Sequence, residues 1–94
     1  MKAYDYIVQE IKNIIHKFPQ IGVRYEHDNT MHVLEVAPNE IFNSDTDYLQ
    51  SERNFFLDFI SKYPKERINF ISDNAKLGLY KVDFEIQGVN YSVN

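Results

Sequence analysis

Residues 44–64, SDTDYLQSERNFFLDFISKYP, carry the clearest periodic signal in the chain, and their reading decides how the rest must fold. Tyr48, Leu49, Glu52, Phe55, Phe56, Phe59, Ile60 and Tyr63 recur at the three-, four- and seven-residue offsets of one helix face. Fully burying one such apolar side chain is worth about 1.5–3 kcal/mol, so the stripe supplies on the order of 10–20 kcal/mol before ordering entropy is subtracted. The other elements are expected to assemble beneath it. Ser44 reads as the N-cap, with Asp47 three residues on in a capping-box arrangement and Asp45 favoured near the positive end of the dipole. Lys62 suits the last turn, and Pro64 forbids continuation. Glu52 is the exception, a carboxylate in the middle of the apolar stripe that packing alone does not explain.

Working outward, residues 4–18 form a second amphipathic helix. Tyr4, Ile7, Val8, Ile11, Ile14, Ile15 and Phe18 keep to one face, and Pro19 ends it. Residues 21–27 alternate as a half-buried strand with Ile21, Val23 and Tyr25 on its apolar side. A turn at Asp28 and Asn29 leads into a strand over 31–37, a register that sets Tyr25 opposite His32, Val23 opposite Leu34 and Ile21 opposite Val36. Arg24, Glu26, Met31, Val33 and Glu35 share the other face. Pro38 closes the hairpin, and Ile41 and Phe42 anchor the connection over 39–43.

Beyond the main helix, residues 66–72 read as a third strand and 73–78 as a loop. Tyr80, Val82, Phe84 and Ile86 alternate with Lys81, Asp83, Glu85 and Gln87, which predicts a fourth strand over 79–87. A tight turn at Gln87 and Gly88 would return Val89, Tyr91 and Val93 to the apolar side as a fifth. The expected fold is α+β: a two-layer domain with an antiparallel sheet of four to five strands, both helices on one face, and the order αββαβββ.

The 94 residues suffice for a single domain spanning 1–94, and the 44% hydrophobic content with seven Tyr and seven Phe is that of a folded chain. Fourteen acidic against ten basic side chains give a net charge of −4, which offers no field for a phosphate backbone and argues against nucleic acid as a partner. There is no cysteine, so disulfides and thiolate chemistry are excluded. The first fifteen residues carry Asp5, Glu10 and Lys12 where a signal peptide needs an apolar run, and no stretch approaches the roughly 20 apolar residues of a membrane helix. A cytoplasmic protein without a membrane partner is expected.

One polar cluster offers chemistry. Tyr25, His27 and His32 share a face near the hairpin turn, and Glu52 lies on the helix face that should cover it. Two imidazoles and a carboxylate are the donor set of zinc or iron sites and of general acid/base catalysis. The structural alternative is an edge pair of histidines and a glutamate paired with Arg53 or Arg67. Gly22, Gly78 and Gly88 are isolated and precede no helix, so no phosphate loop is present, and no serine sits in a nucleophile elbow.

With no catalytic motif and no cofactor implied, the chain reads as a small acidic protein-binding or adaptor module, immunity-protein-like or chaperone-like in role. Its partner is another protein or itself, with homodimerisation through a sheet edge, or the face around Met31 and Val33, as the natural form. The alternative is a small metal-dependent or acid/base enzyme using His27, His32 and Glu52.

Overall fold

A computed structural model describes residues 2–75 and 78–92. The order of elements is α1 (Ala3–Lys17), β1 (Gly22–Asp28), β2 (Met31–Ala37), α2 (Asn39–Ser44), α3 (Thr46–Lys62), β3 (Arg67–Ser72) and β4 (Phe84–Gln87). The four strands form one sheet in the order β3-β2-β1-β4. The α+β class holds, with three helices and a mixed sheet among the described residues.

The core occupies one face of the sheet. Val23 and Tyr25 of β1, Leu34 and Val36 of β2 and Ile68 of β3 meet Ile7, Ile11 and Ile15 of α1 and Tyr48, Phe55 and Phe59 of α3. Both long helices therefore cover the same side. They are tied to one another as well, since the Tyr6 hydroxyl donates to the Asp58 carboxylate, which also accepts from Lys62. The opposite face is polar but partly covered: Glu35 is nearly buried and accepts from Arg24 at 3.0 Å.

The sheet is not all antiparallel, because β2 and β3 run parallel, with His32 beside Ile68 and Leu34 beside Phe70. Helix geometry explains this. Seventeen residues of α3 rise about 25 Å, close to the ~23 Å of the seven-residue β2, so the helix returns the chain to the end where β2 began. A strand that starts there must run alongside β2 in the same direction.

The first hairpin turns at Asn29 and Thr30, one residue later than expected. Asn29 takes the left-handed conformation at φ 56°, which an Asn side chain tolerates. Tyr25 consequently faces Leu34, Val23 faces Val36, and His27 faces His32. The register differs from the expected one by two residues, and a two-residue slip leaves every side chain on its own face.

The connection after Pro38 is the short helix α2, with Ile41 and Phe42 packed on the core as expected. Ser44 ends that helix and does not cap α3. The cap is Asp45, whose carboxylate accepts from the Tyr48 backbone N–H at 2.9 Å. The stripe of α3 is only half buried. Tyr48, Phe55 and Phe59 lie in the core, whereas Leu49, Phe56 and Ile60 are exposed.

The C-terminal expectations are overturned most. Residues 79–83 are not strand, and Tyr80 is 98% exposed. Their backbone serves other partners: Lys81 N–H donates to the Glu26 carboxylate, and Asp83 N–H to the Tyr25 carbonyl. No fifth strand forms among the described residues, and Val93 lies outside them. Instead Gly88 N–H donates to Ile21 O and Asn90 N–H to Pro19 O, which holds the segment against the α1–β1 connection. Val89 is left exposed, and the Tyr91 ring lies over Gly22.

Candidate functional site

The ladder between β1 and β2 places His27 directly opposite His32, on the helix-facing side of the sheet and next to the turn. Parallel pairing brings the start of β3 to the same place. Pro64 stops α3, and a turn closed by Glu66 N–H donating to Tyr63 O delivers Glu66 beside His32. Arg67 N–H donates to Thr30 O and pins β3 to the hairpin end.

His32 is the centre of the cluster. It is fully buried, its Nδ1 lies 2.6 Å from the Tyr25 hydroxyl, and its Nε2 lies 2.5 Å from Glu66 Oε1. A carboxylate only accepts, so Nε2–H donates to Glu66 and the Tyr25 hydroxyl donates to Nδ1. This arrangement satisfies both ring nitrogens of a neutral imidazole. Burial pushes the His32 pKa below its ordinary value, opposed by the hydrogen bond His32 donates to Glu66 and assisted by His27. Burial likewise raises the Tyr25 phenol, with Tyr4, Asp83 and Glu66 adding to it, so it stays a protonated donor.

The rings around His32 are ordered. His27 stacks on it at 4.2 Å between centroids and 13° between planes, and Phe59 meets it edge-on at 5.5 Å. His27 itself is exposed. Its backbone N–H donates to the Asp83 carboxylate at 2.8 Å, so the segment before β4 clamps the end of β1. Glu66 is about a quarter exposed at 28%, which gives the cluster a solvent side.

Tyr25, His27 and His32 are thus brought together as the sequence suggests, but the carboxylate beside them is Glu66 and not Glu52. Ligand atoms of His27, His32 and Glu66 all lie within 4.8 Å of one another. Glu52 sits two turns before Phe59 on α3, about 10 Å along the helix axis. It borders a cleft with Leu49, Arg53, Phe56, Ile68, Asn69 and Phe70. Neither Arg53 nor Arg67 pairs with it, and it makes no hydrogen bond or ion pair among the described residues. Burial without a partner raises its pKa to about 7.

The signal for Glu66 was in the chain. A strand returning through a helix of α3's length begins where β2 begins, and the first polar residue after Pro64 and Lys65 then falls beside His32. Assuming antiparallel pairing hid that neighbour. His16, the third imidazole, is exposed on α1 and is not among the grouped ligand atoms. Comparison with protein-family models, with curated proteins and with solved structures finds no match to this chain.

Proposed function

We propose that the chain is a small, acidic, cytoplasmic protein-binding module without catalytic activity, and that the partner on its main docking surface is a second copy of itself. One observation carries the reading. The apolar residues of α3 run past the core toward the free edge of β3, leaving Leu49, Phe56, Leu57 and Ile60 exposed together, Leu57 by 49%. At 100° per residue these four and Arg53 fall on one flank of the helix, the flank that meets Ile68 and Phe70 of β3. Among the described residues no strand pairs with the outer edge of β3. An open edge beside exposed apolar side chains is a site for strand addition.

The charges favour self-association. Glu52 and Arg53 are neighbours on this flank and neither forms an ion pair among the described residues, so a two-fold axis would let each copy's Glu52 meet the other's Arg53. An antiparallel pairing of the two β3 edges keeps Ile68 and Phe70 of both copies on the helix side, beneath the two α3 flanks.

The non-catalytic part of the reading is supported by the burial of Tyr25 and His32. A general acid or base must come within about 3 Å of the substrate atom it serves, and neither group reaches solvent. Net charge disfavours nucleic acid, and no helix among the described residues is long and apolar enough to cross a membrane.

The test is sedimentation equilibrium from micromolar to millimolar protein. The expected mass moves from 11.2 kDa toward twice that value, and Phe56→Asp, at an exposed position, holds the chain at 11.2 kDa with unchanged circular dichroism. A wild-type chain that stays monomeric across the range, or a Phe56→Asp chain that dimerises as well as wild type, overturns the reading.

A further inference from the structure

We propose that His27, His32 and Glu66 bind one divalent transition-metal ion of the zinc class, with His32 and Glu66 as the inner pair and His27 closing over the ion from the surface. The inference is independent of the docking surface and rests on how the backbone delivers the three side chains. His27 and His32 are directly opposed on adjacent strands, where Cβ atoms stand about 5 Å apart and both rings can reach a common point. Glu66 enters from the neighbouring strand end.

The distances are close to what an ion needs. Four-coordinate zinc bonds near 2.0–2.1 Å separate adjacent ligand atoms by about 3.3 Å. The three donors here fall within 4.8 Å, and His32 Nε2 and Glu66 Oε1 are already 2.5 Å apart. Glu66 must retreat by under about 1 Å to admit the ion, and its partial exposure leaves it room. His27 must move more. Imidazole lone pairs lie in the ring plane, and two rings 13° from parallel at 4.2 Å do not aim at one ion. His27 is exposed, however, so its ring can turn about χ1 and χ2 without displacing core.

The partner of the other His32 nitrogen is also in place. Ligating histidines are oriented by a hydrogen bond at the nitrogen that does not bind metal, and here Tyr25 holds Nδ1 at 2.6 Å. When Nε2 takes the ion, the ring proton moves to Nδ1, the imidazole stays neutral, and Tyr25 changes from donor to acceptor. Two imidazoles and one carboxylate suit zinc, nickel or iron(II) over magnesium or calcium, which prefer all-oxygen sites. Water completes the coordination from the Glu66 side.

The assignment is clean to test because the chain has three histidines and no cysteine. Zinc is titrated into the full chain against a chromophoric chelator, with the imidazole nitrogens followed by NMR. The expected result is about one equivalent of zinc, affinity lowered at least about tenfold in His27→Ala and in Glu66→Gln, and no change in His16→Ala. In the NMR spectrum His32 changes from the Nε2–H to the Nδ1–H tautomer as zinc is added. His27 is exposed and Gln keeps an acceptor at 66, so both variants are expected to fold, which circular dichroism verifies. The proposal is overturned if wild type binds no zinc at 100 μM. It is equally overturned if His27→Ala and Glu66→Gln bind as wild type, or if His16→Ala removes the binding.

Discussion

Glu52 is the residue at which burial and charge conflict most directly. Burial raises its pKa from the usual 4.5 to about 7, and among the described residues no cation pairs with it. The cleft wall supplied by Ile68, Asn69 and Phe70 of β3 contains no titratable group; on its own helix Tyr48 and Arg53 are the neighbours, and Arg53 makes no ion pair with it. The folded state therefore holds the Glu52 proton more tightly than the unfolded chain does. Stability from this group is fully present below about pH 4.5 and is lost as pH rises through about 7. Partial exposure screens the effect, which leaves on the order of 1–2 kcal/mol. Glu52→Gln should stabilise the dilute protein by that amount at pH 8 and change little near pH 4.5, as read from urea denaturation at the two pH values. Equal effects at both would mean that Glu52 is solvated. The sequence exposed Glu52 as an anomaly because a carboxylate interrupts an apolar period. It did not expose Glu66 directly, because that residue breaks no pattern of its own, and its place beside His32, 34 residues away in sequence, follows only once β3 is run parallel to β2.

At the scale of elements, the segments with a one-sided apolar face and a partner on that face were readable: α1, β1, β2, α3 and β3 fall within a residue or two of their expected limits. Their periods report burial, and burial is what fixes them. Residues 79–83 alternate as well as any strand, yet they are irregular, because alternation does not supply a hydrogen-bonded neighbour. Only Phe84 to Gln87 find one, against Gly22 to Tyr25 of β1. The start of α3 shows the same limit on a finer scale. Ser44, Asp45 and Asp47 all suit a helix N-terminus, and α2, by running through Ser44, leaves Asp45 as the cap. Asp45→Ala should therefore lower stability by about 1 kcal/mol, within a range of roughly 0.5–2 kcal/mol, whereas Ser44→Ala should leave it within about 0.5 kcal/mol of wild type. Thermal melts of the two variants check this, and a larger loss in Ser44→Ala would mean that α3 starts one residue earlier.

For the molecule as a whole, the open question at the β4 side of the sheet is how the chain is held once that short edge strand ends. Gly88 gives the physical answer. A methyl group added there would stand 2.1 Å from the Pro19 carbonyl oxygen and 2.5 Å from its carbon, backbone atoms that have little freedom to move. The close approach is what lets Gly88 N–H reach Ile21 O at 2.8 Å and Asn90 N–H reach Pro19 O at 2.9 Å. A glycine between two alternating apolar runs had suggested a hairpin turn, whereas its use here is to let one backbone lie directly against another. Gly22 makes a useful contrast, since the atoms nearest a methyl group there belong to the Tyr91 ring, at 3.1 Å, and a side chain can shift by a few tenths of an ångström. Gly88→Ala should therefore cost about 1–3 kcal/mol and speed amide exchange at Gly88 and Asn90, while Gly22→Ala should cost clearly less. Urea denaturation with amide exchange by NMR measures both effects. If Gly88→Ala keeps wild-type stability and protection at those amides, the C-terminal segment is not anchored to the α1–β1 connection, and the edge beyond β4 is as open as the edge beyond β3.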